Sequence, residues 1–337
     1  MQGKHVVCVF GASGSVGSSA ADELEKNGYQ VRLAYRKERK PLWMENSKYE
    51  TYQVDLDDEE QIRQFCMGAD LIIGAAGPSM KYSERMQKAA IDCNVPYVDP
   101  GGMHLLKNRN HASNVSVVGA GVFPGLSGWM LLSGINELGT KNVSVELSVG
   151  GRYAFTNGAA LDFVEESKGM KSGVPMACIH DRKIAPAKRM APVHLPDSIK
   201  EYRCMPYITE EVLKIAKDRQ IEYVDGFTLV TPEVFQLISR YDLDPKRLVK
   251  ESAEKNENYQ TVIYNWIQKE EEYLEQKFTG GEPGNITGRI LALTAMHTLQ
   301  SKLDLGCYTM PEVMEHVNVV EKLRTMACFE YTRKSSC

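Results

Sequence analysis

The sequence lacks the residue spacings that usually announce a metal or disulfide framework. Its eight cysteines, from Cys8 to Cys337, include no Cys-x-x-Cys pair, and its seven histidines show no His-x-x-x-His or His-Glu-x-x-His spacing. A structural zinc and a catalytic metal are therefore not expected. Cys8 falls inside a run of valines, where a cysteine behaves as a small buried apolar residue, so scattered reduced thiols and a cytoplasmic setting are expected. No window approaches the roughly 18 apolar residues that a spanning helix needs. The N-terminus, polar at Gln2 to His5, does not read as a secretory signal. Charge of one sign is also scarce: the net charge is −4, so neither nucleic acid nor an anionic membrane is an expected partner.

What is present is alternation. Val6-Val7-Cys8-Val9-Phe10 is a continuous apolar run, as in a parallel strand covered on both faces. Ser18–Asn27 reads as a helix closed by Gly28. Strands follow at Gln30–Ala34, Tyr49–Val54, Asp70–Ala75, Pro96–Val98 and Val115–Gly119, with helices at Glu59–Cys66 and Ser83–Cys93. This order predicts an α/β fold with a Rossmann doubly wound parallel sheet. Beyond Gly125 the pattern changes. Ser127–Leu138 and Ala160–Ser167 read as helices, and Val143–Val149 as a half-exposed strand. Cys178–Asp225, with Pro186, Pro192, Pro196 and Pro206, reads as loops and short strands, and Pro245–Phe278 as a long charged helical region. Gly280–Gly284 breaks the chain sharply before a last helix at Thr287–Leu303. The expected organisation is a dinucleotide-binding domain over 1–125, with 286–337 returning to it, and a second α+β domain with a mixed sheet over 126–285.

Gly11-Ala12-Ser13-Gly14-Ser15-Val16-Gly17 follows the first strand directly. Gly11 permits a tight turn, Gly14 lets backbone approach a diphosphate, and Gly17 permits close packing of helix on strand. Amides at the helix start face the anion, and the hydroxyls of Ser13 and Ser15 add donors. The second strand then decides which dinucleotide is expected. An NAD site usually places a carboxylate at its end to hold the ribose 2′-hydroxyl. Here Tyr35 leads instead into Arg36 and Lys37, suited to a 2′-phosphate, which favours NADPH. Asp55, ending the third strand, either accepts from the adenine amino group or belongs to a surface turn.

Three more segments accompany this loop: Gly74-Ala75-Ala76-Gly77-Pro78, Lys88 through Asp99, and Gly119-Ala120-Gly121-Val122-Phe123-Pro124-Gly125-Leu126-Ser127. Together they resemble the saccharopine dehydrogenase-like reductases, and Leu305–Glu312 resembles that family's ending. Nothing between 171 and 285 carries the resemblance. It implies a nicotinamide-dependent reductase with a mixed-sheet second domain that often dimerises. It also implies that Ala75, Ala76, Gly77 and Pro78 line the ribose and nicotinamide, that Asp99 and Gly101 sit near the end of the fifth strand, and that Phe123, Pro124 and Gly125 flank the nicotinamide. Phe123 stands where the family's polyamine branch has aspartate, which points to a less polar substrate than an amino-dicarboxylate.

Hydride comes from the cofactor; the protein supplies placement and, where the substrate requires it, a proton. Gly151-Arg152-Tyr153-Ala154-Phe155-Thr156-Asn157 follows a strand and opens a helix that Thr156 and Asn157 can cap. Tyr153 is the candidate proton donor and Arg152 the candidate carboxylate clamp; packing and capping are the other roles open to this stretch. His180 and His194, in the proline-rich stretch, read as surface residues. The expected activity is reduction of a small-molecule imine by an NADPH-dependent homodimer. An enoyl or carbonyl reductase and a non-catalytic NADP(H) sensor are the alternatives.

Overall fold

The computed structural model describes residues 5–36, 40–45, 49–111, 113–167, 173–239, 244–253 and 258–336. In chain order the strands are β1 (Val6–Phe10), β2 (Gln30–Tyr35), β3 (Glu50–Gln53), β4 (Leu71–Gly74), β5 (Tyr97–Val98), β6 (Val115–Val118), β7 (Val143–Arg152), β8 (Gly173–Pro175), β9 (Ala177–His180), β10 (Lys183–Pro186), β11 (Arg203–Thr209), β12 (Tyr223–Val230), β13 (Gln260–Lys269), β14 (Glu272–Gly280), β15 (Gly306–Thr309) and β16 (Phe329–Ser335). The chain divides into two compact units, one of residues 1–126 and 284–327, the other of 127–283 and 328–337.

The first unit is built on a seven-stranded sheet in the order β15-β6-β5-β4-β1-β2-β3, with every pairing parallel. Strand order reverses between β1 and β4, the topological switch point at which open α/β sheets bind ligands. β1 and β4 are buried along nearly their whole length because helices cover both faces, and this is why their sequence is continuously apolar. Cys8 and Cys66 belong to the core that includes Phe10, Phe65, Ile72 and Met86. Burial pushes both thiols up, Cys8 to about 12, so neither is a nucleophile at neutral pH.

Helix α1 (Ser15–Lys26) follows β1 and ends at Asn27, with Gly28 at φ +87° as the left-handed stop. The helix Pro283–Gln300 backs α1. A Cβ on Gly288 would meet the Val16 carbonyl oxygen at 2.4 Å, so only glycine permits this approach. Asn285 accepts from Ser19 at 2.7 Å, and Arg289 pairs with the buried Glu23 at 3.1 Å.

The second unit holds a mixed sheet, β10-β9-β12-β7-β13-β14-β16, with β11 and β8 added off its path. β7 pairs parallel with β12 and antiparallel with β13. The helix Leu126–Leu138 lies against one face: a Cβ on Gly134 would meet Ile267 at 2.4 Å and Leu274 at 3.0 Å. On β7 the buried Glu146 accepts from Arg189 (3.0 Å) and from the backbone amides of Val193 (3.1 Å) and His194 (3.0 Å). The His194 ring also meets it, at 3.1 Å. The proline-rich segment is thus laid on the sheet by one carboxylate, and His194 is half-buried and stacked on Trp266 rather than a plain surface residue.

Three expectations are corrected. Pro245–Phe278 is not one helix: a nine-residue helix, Pro245–Ala253, precedes the hairpin of β13 and β14. Thr261 to Ile267 is rich in β-branched and aromatic residues, which suit a pleated surface, and the charged Lys269-Glu270-Glu271-Glu272 is the turn, with Glu270 at φ +55°. Second, Cys178–Asp225 contains a ten-residue helix, Glu210–Arg219, capped by Thr209. Third, residues 328–337 do not return to the first unit; β16 extends the second unit's sheet by pairing with β14.

Candidate cofactor site

The glycine loop makes the tight turn anticipated from its spacing. Gly11 sits at φ +70°, and the Gly14 amide donates to the Gly11 carbonyl at 3.0 Å. The next strand-end loop lies directly alongside, since a Cβ on Gly11 would be 2.3 Å from the Ala75 carbonyl oxygen. Gly17 is equally constrained, its Cβ position lying 2.5 Å from the Gly11 carbonyl oxygen. Gly14 differs: its nearest neighbour would be 3.5 Å away, so internal packing does not require glycine there. Gly14 is also the N-cap of α1 and supplies no side-chain cap, leaving the first amides of the helix to an outside acceptor. An open Cβ position beside uncapped amides fits a diphosphate. Ser13 is exposed and Ser15 and Val16 half-exposed on the same turn.

On the adenosine side, Arg36 is exposed at the end of β2, and among the described residues no carboxylate pairs with it. Lys37 lies outside the described residues. Asp55 is exposed, and its side chain accepts from the Asp57 amide at 2.9 Å, the local turn that was one of its two expected roles.

On the other side of the switch point, Ala75, Ala76, Gly77 and Pro78 form the loop after β4, with Gly77 exposed and the other three half-buried. Phe123, Pro124 and Gly125 lie in the turn between β6 and the next helix. It is closed by Gly121 N–H to Pro124 (3.0 Å) and Leu126 N–H to Gly121 (2.8 Å). Gly125 takes φ +126° with its Cβ position 2.2 Å from the Gly121 carbonyl oxygen, which bars any side chain. Thr287 supports this turn at 3.4 Å from the Val122 amide.

Asp99 directly follows β5, the place expected for it. Its carboxylate is buried and turned into the unit, where it accepts from Ser83 Oγ (2.6 Å), Tyr97 OH (2.5 Å) and Gly101 N–H (2.7 Å). Both oxygens are thus engaged by internal donors. Burial raises its pKa, and the hydrogen bonds from Ser83, Tyr97 and Gly101 oppose that rise. Sequence reasoning missed Ser83 and Tyr97 entirely; the hydroxyls flanking the strand were the available signal.

Arg152 and Tyr153 lie in the second unit. The Arg152 guanidinium already pairs with Glu201 at 2.8 Å, and the Tyr153 ring packs on Phe155 at 5.5 Å, beside the apolar cluster of Val164, Val230 and Leu248. Thr156 does cap the following helix, accepting from Ala159 at 3.2 Å. Among the described residues no group of three or more His, Cys, Asp or Glu side chains could hold a metal ion, and no helix is long and apolar enough to cross a membrane.

A parallel sheet in this strand order, a glycine turn at its switch point and an uncapped helix start define a dinucleotide-binding unit followed by a mixed-sheet unit. Residues 7–118 match the family model of the saccharopine dehydrogenase NADP binding domain, so the first unit is an NADP(H)-binding domain of the saccharopine dehydrogenase type. Among solved structures, the chain is similar to apo saccharopine dehydrogenase (L-Glu forming) from Saccharomyces cerevisiae, at 13% identity and a TM-score of 0.70, covering 99% of this chain and 100% of that one. That likeness extends the shared fold to both units. A nucleoside-diphosphate-sugar epimerase from Pseudomonas aeruginosa matches 28% of this chain and 33% of its own at 19% identity and a TM-score of 0.26. A uronate dehydrogenase from Agrobacterium tumefaciens matches 31% and 43% at 20% identity and a TM-score of 0.25. Comparison with curated proteins gives no match.

Proposed function

We propose that the protein is an NADPH-dependent reductase that transfers hydride to the C=N bond of a small-molecule imine. The observation that carries this reading is the β1/β4 switch point, where the Gly11–Gly17 turn meets the Ala75–Pro78 loop inside an NADP(H)-binding domain. Bound NADPH supplies the hydride. The chain's residues do the rest: the α1 amides bind the diphosphate, Arg36 takes the 2′-phosphate, and the loops after β4 and β6 hold the nicotinamide. An iminium forms readily near neutral pH, so an imine needs little acid assistance. We assign Tyr153 as the donor of any further proton and Arg152 as the clamp for a substrate carboxylate. The half-buried Phe123 favours a substrate of low polarity at that turn. We further propose a cytoplasmic homodimer, which light scattering of the purified protein checks.

The decisive experiment is a cofactor-oxidation screen over imines, enals and ketones with NADPH and with NADH. Imine turnover with NADPH preferred is the expected result. Turnover of enals or ketones alone replaces the C=N assignment, and tight NADPH binding without any turnover leaves a sensor. Tyr153→Phe should lower turnover by about a hundredfold with NADPH binding intact. Wild-type turnover in that variant removes Tyr153 from the assignment.

A further inference from the structure

The loops that leave β4, β5 and β6 are tied together by one buried side chain. Ser83, in the helix Ser79–Asp92 that follows the Ala75–Pro78 loop, donates to Asp99 at 2.6 Å. Tyr97, in β5, donates to the same oxygen at 2.5 Å. The other oxygen takes the Gly101 amide at 2.7 Å. The linkage continues through backbone: the Gly101 carbonyl accepts from Gly119 at 2.8 Å, and the Asp99 carbonyl accepts from Ala120 at 2.9 Å, at the start of the turn that contains Phe123 and Pro124. Contacts at the ends of the strands are too close for slack. A Cβ on Gly101 would stand 2.9 Å from Ser79 Cβ, and one on Gly74 would stand 2.1 Å from the Tyr97 hydroxyl oxygen. Movement of any one loop therefore displaces the others.

We propose that Asp99 is a positioning residue: without touching the cofactor, it holds the three loops in one rim and so fixes the half of the site that takes the nicotinamide and its ribose. The placement of that half over β4 to β6 rests on the function proposed above. The diphosphate and adenosine half, over β1 and β2, lies outside this hydrogen-bond network. Its residues — Gly14, the α1 amides and Arg36 — make no hydrogen bond to Ser83, Tyr97 or Asp99 among the described residues. Asp99 should thus act on one end of the dinucleotide and not on the other.

The test compares two ligands that differ in the nicotinamide and its ribose. NADP⁺ and adenosine 2′-phosphate 5′-diphosphate are titrated against wild type, Asp99→Ala and Ser83→Ala, with the thermal midpoint recorded for each. The expected result is that NADP⁺ weakens about tenfold in Asp99→Ala, equivalent to about 1.4 kcal/mol, while the adenosine ligand changes less than about twofold. Ser83→Ala removes one donor only; it should move the ratio the same way by less, and it decides the matter if Asp99→Ala does not fold. Ser116→Ala is the matched control. It deletes a buried hydroxyl in β6 that bonds Asn114 and Gln87 instead, and the ratio should stay at the wild-type value. Equal weakening of both ligands, no weakening of either, or the same ratio change in Ser116→Ala overturns the proposal. No turnover enters this measurement, so failure to find a substrate and failure of the positioning role are separate outcomes.

Discussion

Gly11, Gly14 and Gly17 share a side chain and do different work. Gly11 and Gly17 are glycine because backbone lies 2.3 and 2.5 Å from where a Cβ would be; Gly14 has 3.5 Å of clearance. Gly17→Ala should therefore destabilise the first unit by about 2 kcal/mol, the usual cost of overpacking, and lower the thermal midpoint. Gly14→Ala should leave the midpoint within about 0.5 kcal/mol of wild type, as for a surface change, yet weaken NADPH strongly in a binding titration. An unchanged affinity there places the diphosphate elsewhere. Arg36→Gln should narrow the preference for NADPH over NADH by roughly tenfold or more, since a charge-assisted bond is lost with the 2′-phosphate only. The spacing of the glycines and their separate duties were legible in the sequence, but the close approach of Gly11 to Ala75, far along the chain, was not. The network of Asp99 was hidden for a related reason: Ser83 and Tyr97 meet its carboxylate only in space.

At the scale of elements, the parallel half announced itself and the mixed half did not. In the first unit the central strands β1 and β4 are short, apolar and followed by helices, so the period changes at those junctions. β13 is buried on both faces along most of its length, which removes the polar alternation that marks a half-exposed strand. The charges beyond it, from Lys269 to Glu272, then imitate a solvated helix face. β7 hid its last turn of chain in the same way. Gly150 and Gly151 read as a strand end, whereas their Cβ positions lie 2.0 Å from the Leu229 carbonyl oxygen and 1.9 Å from that of Gln260, so strand pairing continues through them. β16 carries Phe329, whose ring packs on Phe278 at 4.8 Å, and otherwise mostly exposed residues. Deleting 328–337 should cost about 2 kcal/mol from the lost aromatic burial and bare the edge of β14. A lower thermal midpoint with concentration-dependent association, seen by light scattering, is the expected outcome; an unaltered monodisperse protein denies the strand any role in stability.

For the whole molecule, the chain passes between units three times, after residues 126, 283 and 327. The middle passage was legible in Gly280–Gly284; the last was not, because a ten-residue polar end carries too little apolar pattern to place. Both units hold tyrosines whose ionisation burial resists. Tyr49 in the first and Tyr202 in the second are pushed up to about 12, and Tyr97 and Tyr264 are raised as well. An unfolded tyrosine loses its proton near 10. Between that pH and about 12 the folded chain holds more protons than the unfolded one, so stability present below pH 10 is lost as the pH rises through this window. Tyrosinate absorbance and loss of ellipticity should rise together in an alkaline titration. Ionisation of these tyrosines well before unfolding would contradict the burial assigned to them.

The ring stack in the second unit has an optical consequence. Trp266 is held between His194 at 4.3 Å and Tyr273 at 4.4 Å, both nearly parallel to it, while the other two tryptophans, Trp43 and Trp129, lie elsewhere. An excited indole stacked on an imidazole ring loses part of its emission to it. His194→Gln should therefore brighten Trp266, and so should release of His194 from the stack. The molecule carries a built-in lamp, read with no added dye, that reports whether the segment pinned by Glu146 is still seated on its sheet.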